Sequence, residues 1–238
     1  SGYDGIDIDW CRARGLPVTH APGVNHEDVA DHAVGLILAA RRQIVAGDRQ
    51  LRTGGWVADT RTITPSLKGQ RVGIVGLGLI GQAVARRLVS LRMPIQWWGP
   101  RDKPADWPRA SSLLELARDS DVLVVACKAD DSNRGLISRE IIDALGPDGL
   151  LVNVARGQLV DETAMIEALH TGRLGQAALD VFEQEPTDAA RWANVPNTVL
   201  TPHTAGATTE GVQGMLMLLL QNLQASFAEE PLKSPVPD

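Results

Sequence analysis

Six short apolar runs recur through the later two thirds of the chain, at residues 72–75, 95–98, 122–126, 150–154, 177–181 and 199–201. Between the first five lie stretches whose apolar residues fall at helical spacing, at 80–89, 111–117, 138–145 and 162–170. A run that is apolar at every position has no face to offer water, so both of its faces must be covered. Alternating helices supply that cover, which predicts an α/β fold built on a Rossmann-type doubly wound parallel sheet. Ser112 and Ser138 read as caps of two of the helices, and Gly172 as a stop. Upstream, a helix is expected over 25–46, capped by Asn25 with Glu27 and Asp28 near its positive end. Residues 15–22 read as one short strand, and 54–65 as a polar, glycine-containing connection. A last helix, 208–227, carries the uninterrupted apolar run Met215 to Leu220 and needs a large surface to bury against.

Composition narrows the partners. The chain has 238 residues, with 23 Lys plus Arg against 29 Asp plus Glu and a formal net charge of −6, so no basic stripe suggests nucleic acid or an anionic membrane. The apolar run at 215–220 is far too short to span a bilayer. Cys11 and Cys127 lie far apart without metal-ligand spacing, so neither a zinc site nor a disulfide framework is expected, and a reducing cytoplasmic location is the simplest reading. The opening Ser1-Gly2, with neither an initiator Met nor a signal peptide, reads as a cut start.

Gly76-Leu77-Gly78-Leu79-Ile80-Gly81 follows the first run of the alternating region and opens a helix. A strand that turns at once into a helix aims free N–H groups and a positive dipole end at one point, where a pyrophosphate can sit. Gly76 permits the turn, Gly78 the approach of phosphates to the backbone, and Gly81 close packing of helix on strand. Strand and helix flank the motif as the fingerprint requires, so a bound dinucleotide is the expected cofactor. An acid that binds the ribose 2′-OH of NAD is expected about 20 residues later. Gly99 stands at that place, followed by Arg101, with Lys103 beyond. A carboxylate would repel a 2′-phosphate, whereas a small residue beside a guanidinium admits and pairs one, so the reading favours NADP. The alternative is NAD, with Arg101 a solvated charge and the slightly displaced Asp102 on the ribose.

Ligands of such sheets bind beyond the carboxyl ends of the strands. There the sequence places Asn153-Val154-Ala155-Arg156-Gly157, then 180–186 beginning with Asp180 and ending Glu185-Pro186, then Thr201-Pro202-His203-Thr204-Ala205-Gly206. Hydride transfer to a ketone requires a proton for the developing alkoxide, and His203 can supply it. A carboxylate such as Glu185 orients the ring and keeps the acid loaded. Arg156 can hold a substrate carboxylate through two parallel hydrogen bonds and polarise the carbonyl. Together they suit a 2-keto acid. Glu183 reads as a bystander, and His20, His26, His32 and His170 as surface or packing residues, because none falls at a strand end. Asp180 is placed to meet the nicotinamide ribose or carboxamide. No serine or cysteine nucleophile has a histidine at a comparable strand end, so covalent catalysis has little support.

At these residues the chain resembles the D-isomer-specific 2-hydroxyacid dehydrogenases. The matching pieces are residues 2–7, 26–33, the 76–81 loop, 153–157, 179–186 and 202–206. The resemblance implies Arg156 as substrate anchor, His203 as acid/base and Glu185 as its partner. It also implies cofactor contacts from Leu79, Ile80, Cys127, Val154, Asp180 and Ala205, with Ala155 beside them, and a substrate-carboxylate loop at Ser1 and Gly2. Gly99 with Arg101 is most similar to the glyoxylate/hydroxypyruvate reductases of that family. Family members begin with a segment that builds most of a flavodoxin-like substrate domain. The resemblance therefore divides the chain into a partial substrate domain, 1–24 with 205–238, and a dinucleotide-binding domain, 25–204. The helix region 25–46 implies a homodimer. The expected activity is hydride transfer between NAD(P)H and a small 2-keto acid, glyoxylate or hydroxypyruvate, giving the D-2-hydroxy acid. The runners-up are an NAD-dependent dehydrogenase of another D-2-hydroxy acid, such as phosphoglycerate or lactate, a non-enzymatic NAD(H)-sensing protein, and a structural dimerisation module. Which keto acid is preferred is not legible in the sequence.

Overall fold

A computed structural model describes residues 2, 3, 5–57 and 62–237. A short helix α1 (Ile8–Arg12), capped by the Asp7 carboxylate, precedes α2 (His26–Arg41) and α3 (Ile44–Arg52). The alternating region then runs β1 (Val72–Val75), α4 (Leu79–Ser90), β2 (Ile95–Trp98), α5 (Leu113–Arg118), β3 (Val122–Val125), α6 (Arg139–Leu145), β4 (Leu150–Asn153), α7 (Glu162–Thr171), β5 (Gln176–Leu179), α8 (Ala189–Trp192) and β6 (Thr198–Leu200). Helix α9 (Thr209–Phe227) follows, with Thr208 accepting a hydrogen bond from the Gly211 N–H as its cap.

All six strands are parallel, in the order β2-β1-β3-β4-β5-β6. The order reverses beside β1, so the crevice between the ends of β1 and β3 is the switch point where such sheets receive ligands. Beyond β2 the chain returns at Arg109, which bridges Trp97 in parallel and extends the sheet by a single rung. Val72–Val75 and Val122–Val125 are buried at every position, as an apolar run without alternation requires, and Leu150–Asn153 is buried throughout although it ends in a polar side chain. Two clusters cover the two faces. One gathers α5, α6 and α7 around Leu116, Leu123, Ile142 and Leu151; the other gathers α2 and α4 around Ile37, Ile74, Leu88 and Val152.

The upstream expectations are corrected in three places. The helix expected over 25–46 is two, because Gln43 takes a left-handed conformation (φ 51°) that ends α2. Arg41 is buried at that end and donates to the carbonyl of Asp148 (2.9 Å) and to Gln176 Oε1 (3.1 Å), fixing where α2 stops against the sheet. Asn25 does not cap α2 through its side chain; that side chain lies against Gly206 instead, where an added Cβ would come within 2.1 Å of Asn25 Nδ2. Residues 15–22 form no strand. Only Thr19 makes a bridge, antiparallel to Pro235, because Pro17 and Pro22 lack the donors a ladder needs. His20 N–H to Ser234 O (3.0 Å) and Val236 N–H to Val18 O (2.9 Å) flank that bridge and tie the two chain ends together. Helix α9 buries only Gly211, Asn222 and Ala225, while Val212, Leu216, Met217, Leu219, Leu220, Leu223 and Phe227 stay exposed. No helix among the described residues is long and apolar enough to cross a membrane.

Candidate active site

The glycine loop has the shape that its spacing demands. Gly76 stands at φ 91°, and a Cβ there would meet Cys127 Cα at 2.5 Å, so the end of β1 touches the end of β3 with no room for a side chain. A Cβ at Gly81 would reach the Gly76 carbonyl oxygen at 2.2 Å, which fixes how closely α4 packs on the turn. Gly78 is different: nothing lies within 4 Å of its Cβ position, and the start of α4 has no side-chain cap. An uncapped helix start in front of open space leaves its first N–H groups and dipole end for an anion. Leu79 is exposed and Ile80 half-buried on that first turn. The Cys127 thiol, held at the crevice by burial, has its pKa pushed up to about 11.

At the end of β2, Gly99 is buried and its carbonyl accepts from Arg109 Nη2 at 2.7 Å. Arg101 is exposed just beyond. Lys103 folds back so that its ammonium bonds the carbonyl of Leu77 in the glycine loop and lies 5.7 Å from the Trp97 ring centroid. Where an acid would have marked NAD, Arg109 thus lies against Gly99, Arg101 follows two residues on, and Lys103 reaches the glycine loop.

Arg156, Glu185 and His203, from three different strand ends, line one cavity of about 410 Å³ together with Gly2, Gly5, Gly157, Gln158, Phe182 and Glu183. His203 Nδ1 lies 2.5 Å from Glu185 Oε2, and Glu185 Oε1 accepts the Phe182 N–H at 2.9 Å. Both carboxylate oxygens are thus engaged, and the ring presents its other nitrogen away from Glu185. Arg156 Nη1 donates to the Ala155 carbonyl at 2.7 Å. Asn153 clasps this turn, accepting from the Ala155 N–H (3.0 Å) and donating to the Arg156 carbonyl (2.9 Å). Val154 and Ala155 are buried in opposite core clusters, so the Arg156 backbone is anchored on both faces of the sheet. Gly2 lines the cavity; Ser1 lies outside the described residues.

Asp180, 1% exposed, organises the turn that carries His203. Its Oδ1 accepts from Thr201 Oγ1 (2.6 Å) and the Thr204 N–H (2.9 Å), its Oδ2 from the Ala205 N–H (2.9 Å), and its carbonyl from the His203 N–H (2.8 Å). His203 itself stands at φ 52°, a strained conformation for a side chain with a Cβ, which this network holds in place.

Three contributors escaped the sequence reading. Glu162, nearly buried, accepts the Glu183 N–H at 3.0 Å and pairs with Arg191, steadying the 182–185 turn. Gly157 is forced: an added Cβ would lie 1.8 Å from the Phe182 carbonyl carbon. His32 is more than a packing residue, since its Nε2 reaches Thr201 Oγ1 at 2.9 Å and Asp180 Oδ1 at 3.4 Å. No strand-end rule could find it, because it comes from α2.

A parallel sheet with a glycine cradle at its switch point, beside a guanidinium and an imidazole–carboxylate pair, defines a dinucleotide-dependent oxidoreductase. Residues 34–205 match the model of the D-isomer specific 2-hydroxyacid dehydrogenase NAD-binding domain. Hydroxyphenylpyruvate reductase of Plectranthus scutellarioides is 44% identical over 236 residues, covering 99% of this chain and 75% of that protein. Glyoxylate/hydroxypyruvate reductase A of Arabidopsis thaliana is 42% identical with the same coverage. Among solved structures, the NADPH-dependent glyoxylate/hydroxypyruvate reductase of Sinorhizobium meliloti, in complex with NADP and malonate, superposes with a TM-score of 0.92 at 37% identity, over 99% of this chain and 75% of that one. The chain belongs to the D-isomer-specific 2-hydroxyacid dehydrogenase family, and it is an NAD(P)-dependent oxidoreductase. It spans about three quarters of the length of these relatives.

Proposed function

We propose that this protein is an NADPH-preferring reductase of small 2-keto acids, with glyoxylate and hydroxypyruvate as the first substrates to test. The observation that carries the reading is the meeting of Arg156, Glu185 and His203 on one cavity wall. The fit of a dinucleotide rests on the open space at Gly78 before an uncapped helix start, with Gly76 and Gly81 keeping the cradle clear. Gly76, Gly78, Leu79, Ile80 and Gly81 would hold the pyrophosphate. Gly99 and Arg101, joined by Lys103, would receive the 2′-phosphate, and Cys127, Val154, Ala155, Asp180 and Ala205 would border the nicotinamide half.

When bound, the cofactor supplies a hydride to the keto carbon. Arg156 holds the substrate carboxylate with its planar fork, and its positive charge draws electron density toward the carbonyl oxygen. The backbone of Gly2, which lines the cavity, completes the carboxylate grip. His203 delivers a proton to the oxygen as it becomes an alkoxide, from the ring nitrogen facing the cavity. Glu185 fixes the ring through Nδ1 and stabilises its cation. The proposed residues 1–24 and 205–238 form part of a substrate domain, supported by the bridging of Thr19 to Pro235 and the uncovered apolar side of α9. A homodimer through the 25–46 region is supported by exposed Ile44 and Val45 at the start of α3, a helix that buries none of its own residues. Both cysteines are free thiols, in keeping with a cytoplasmic setting.

The test is direct. Steady-state oxidation of NADPH and NADH is followed separately with glyoxylate and with hydroxypyruvate. The reading expects kcat/KM at least tenfold higher with NADPH. Equal rates or an NADH preference defeat the cofactor claim, and no turnover of either acid defeats the substrate claim.

A further inference from the structure

We propose that His32 is a positioning residue for the reaction, acting through Thr201 and Asp180 on the turn that carries His203; the inference rests on the reading of His203 as the proton donor. The hydrogen positions follow from the distances. Thr201 Oγ1 has one hydrogen and lies 2.6 Å from the buried Asp180 Oδ1, the strongest acceptor in its reach, whereas the Leu179 carbonyl is 3.5 Å away. The hydroxyl hydrogen therefore goes to Asp180. His32 Nε2, 2.9 Å from the same oxygen, must then donate to it, and it stands 3.4 Å from Asp180 Oδ1 as well. The relay runs from the imidazole N–H to the hydroxyl to the carboxylate.

What the relay holds is specific. The other bonds to Asp180 come from the N–H groups of residues 204 and 205, and its carbonyl takes the N–H of His203. A carboxylate with its rotation fixed by Thr201 presents Oδ1 and Oδ2 to successive N–H groups of one turn, and that turn keeps His203 at φ 52°. Without the donor at His32, the Thr201 hydroxyl loses its partner on one side and the carboxylate gains freedom to rotate. The imidazole comes from α2, which packs on β5 and β6, so it links the helix layer to the catalytic turn.

The test uses the full chain and three variants: His32→Leu removes the donor, His32→Gln replaces it with an amide N–H at the same reach, and Thr201→Val removes the middle of the relay. Amide hydrogen exchange at 204 and 205, measured without cofactor, should quicken about tenfold in His32→Leu and return to within about twofold of wild type in His32→Gln. In turnover of glyoxylate, His32→Leu should lower kcat about tenfold with the KM for NADPH changed less than about threefold. The isotope effect on kcat with NADPH deuterated at the transferred position should rise, because misplacement slows the chemical step, whereas a smaller folded fraction would leave it unchanged. Combining His32→Leu with Thr201→Val should cost no more than either alone. Wild-type exchange at 204 and 205 in His32→Leu overturns the positioning claim. Failure of the wild-type enzyme to reduce any 2-keto acid overturns the functional reading instead, so the two failures are distinguishable.

Discussion

His203 Nδ1 and Glu185 Oε2 stand 2.5 Å apart, although 18 residues of chain and two different strand ends separate them. The second oxygen of Glu185 is taken by the Phe182 N–H at 2.9 Å, so the carboxylate cannot swing away without breaking a backbone bond. Glu185→Gln keeps the volume but replaces one acceptor oxygen with a donor group and removes the charge that stabilises an imidazolium. We expect kcat for keto-acid reduction to fall by about a hundredfold, with the cofactor Kd within about threefold of wild type, because the glycine cradle lies elsewhere. Single-turnover kinetics with fluorescence titration of NADPH measures both.

Arg156→Lys should not rescue activity. A lysine ammonium is a point charge and cannot match two carboxylate oxygens at once. Substrate kcat/KM is expected to fall by about a hundredfold, with much of the loss in KM, when glyoxylate is titrated at saturating NADPH.

Arg101→Ala tests the ribose pocket. Removal of this exposed guanidinium should raise the KM for NADPH by about tenfold and leave that for NADH nearly unchanged, since only the former carries a 2′-phosphate. Comparing the two cofactors in one variant separates this from a general loss of binding.

Gly157→Ala should destabilise the fold by about 3 kcal/mol, because the new methyl meets the Phe182 and Glu183 backbone and not a side chain able to move. Urea unfolding against wild type gives the difference. Activity should fall with it, since Arg156 and Glu185 flank the contact.

Cys127, with its pKa pushed up to about 11 by burial, should alkylate slowly. At pH 8 its thiolate fraction is about a hundredfold below that of an ordinary cysteine, so iodoacetamide should modify it correspondingly slowly in the folded protein and at the normal rate in urea. The rate should rise about tenfold per pH unit up to about pH 10. Bound NADPH should protect it further, because it touches Gly76 in the proposed cradle.

Local sequence carried the sheet. Runs such as Val72–Val75 and Val122–Val125 carry no polar side chain, and burial on both faces is the only stable solution for them, so strands, crossovers and the Gly76–Gly81 cradle were legible from spacing alone. The strand-end rule likewise singled out Arg156, Glu185 and His203, since a parallel sheet brings all carboxyl ends to one edge. Long-range packing decided the rest. The break of the upstream helix at Gln43 depends on where Arg41 finds the carbonyls of Asp121 and Asp148, 80 and 107 residues away, and Asn25 forsakes its cap for Gly206. His32, Glu162 and Gly157 act on residues distant in sequence, through a hydroxyl, a backbone N–H and a steric limit. Periodicity records which face of an element is buried; it holds no record of which group from another layer arrives to meet it, as His32 of α2 meets Thr201 beside the turn that carries His203.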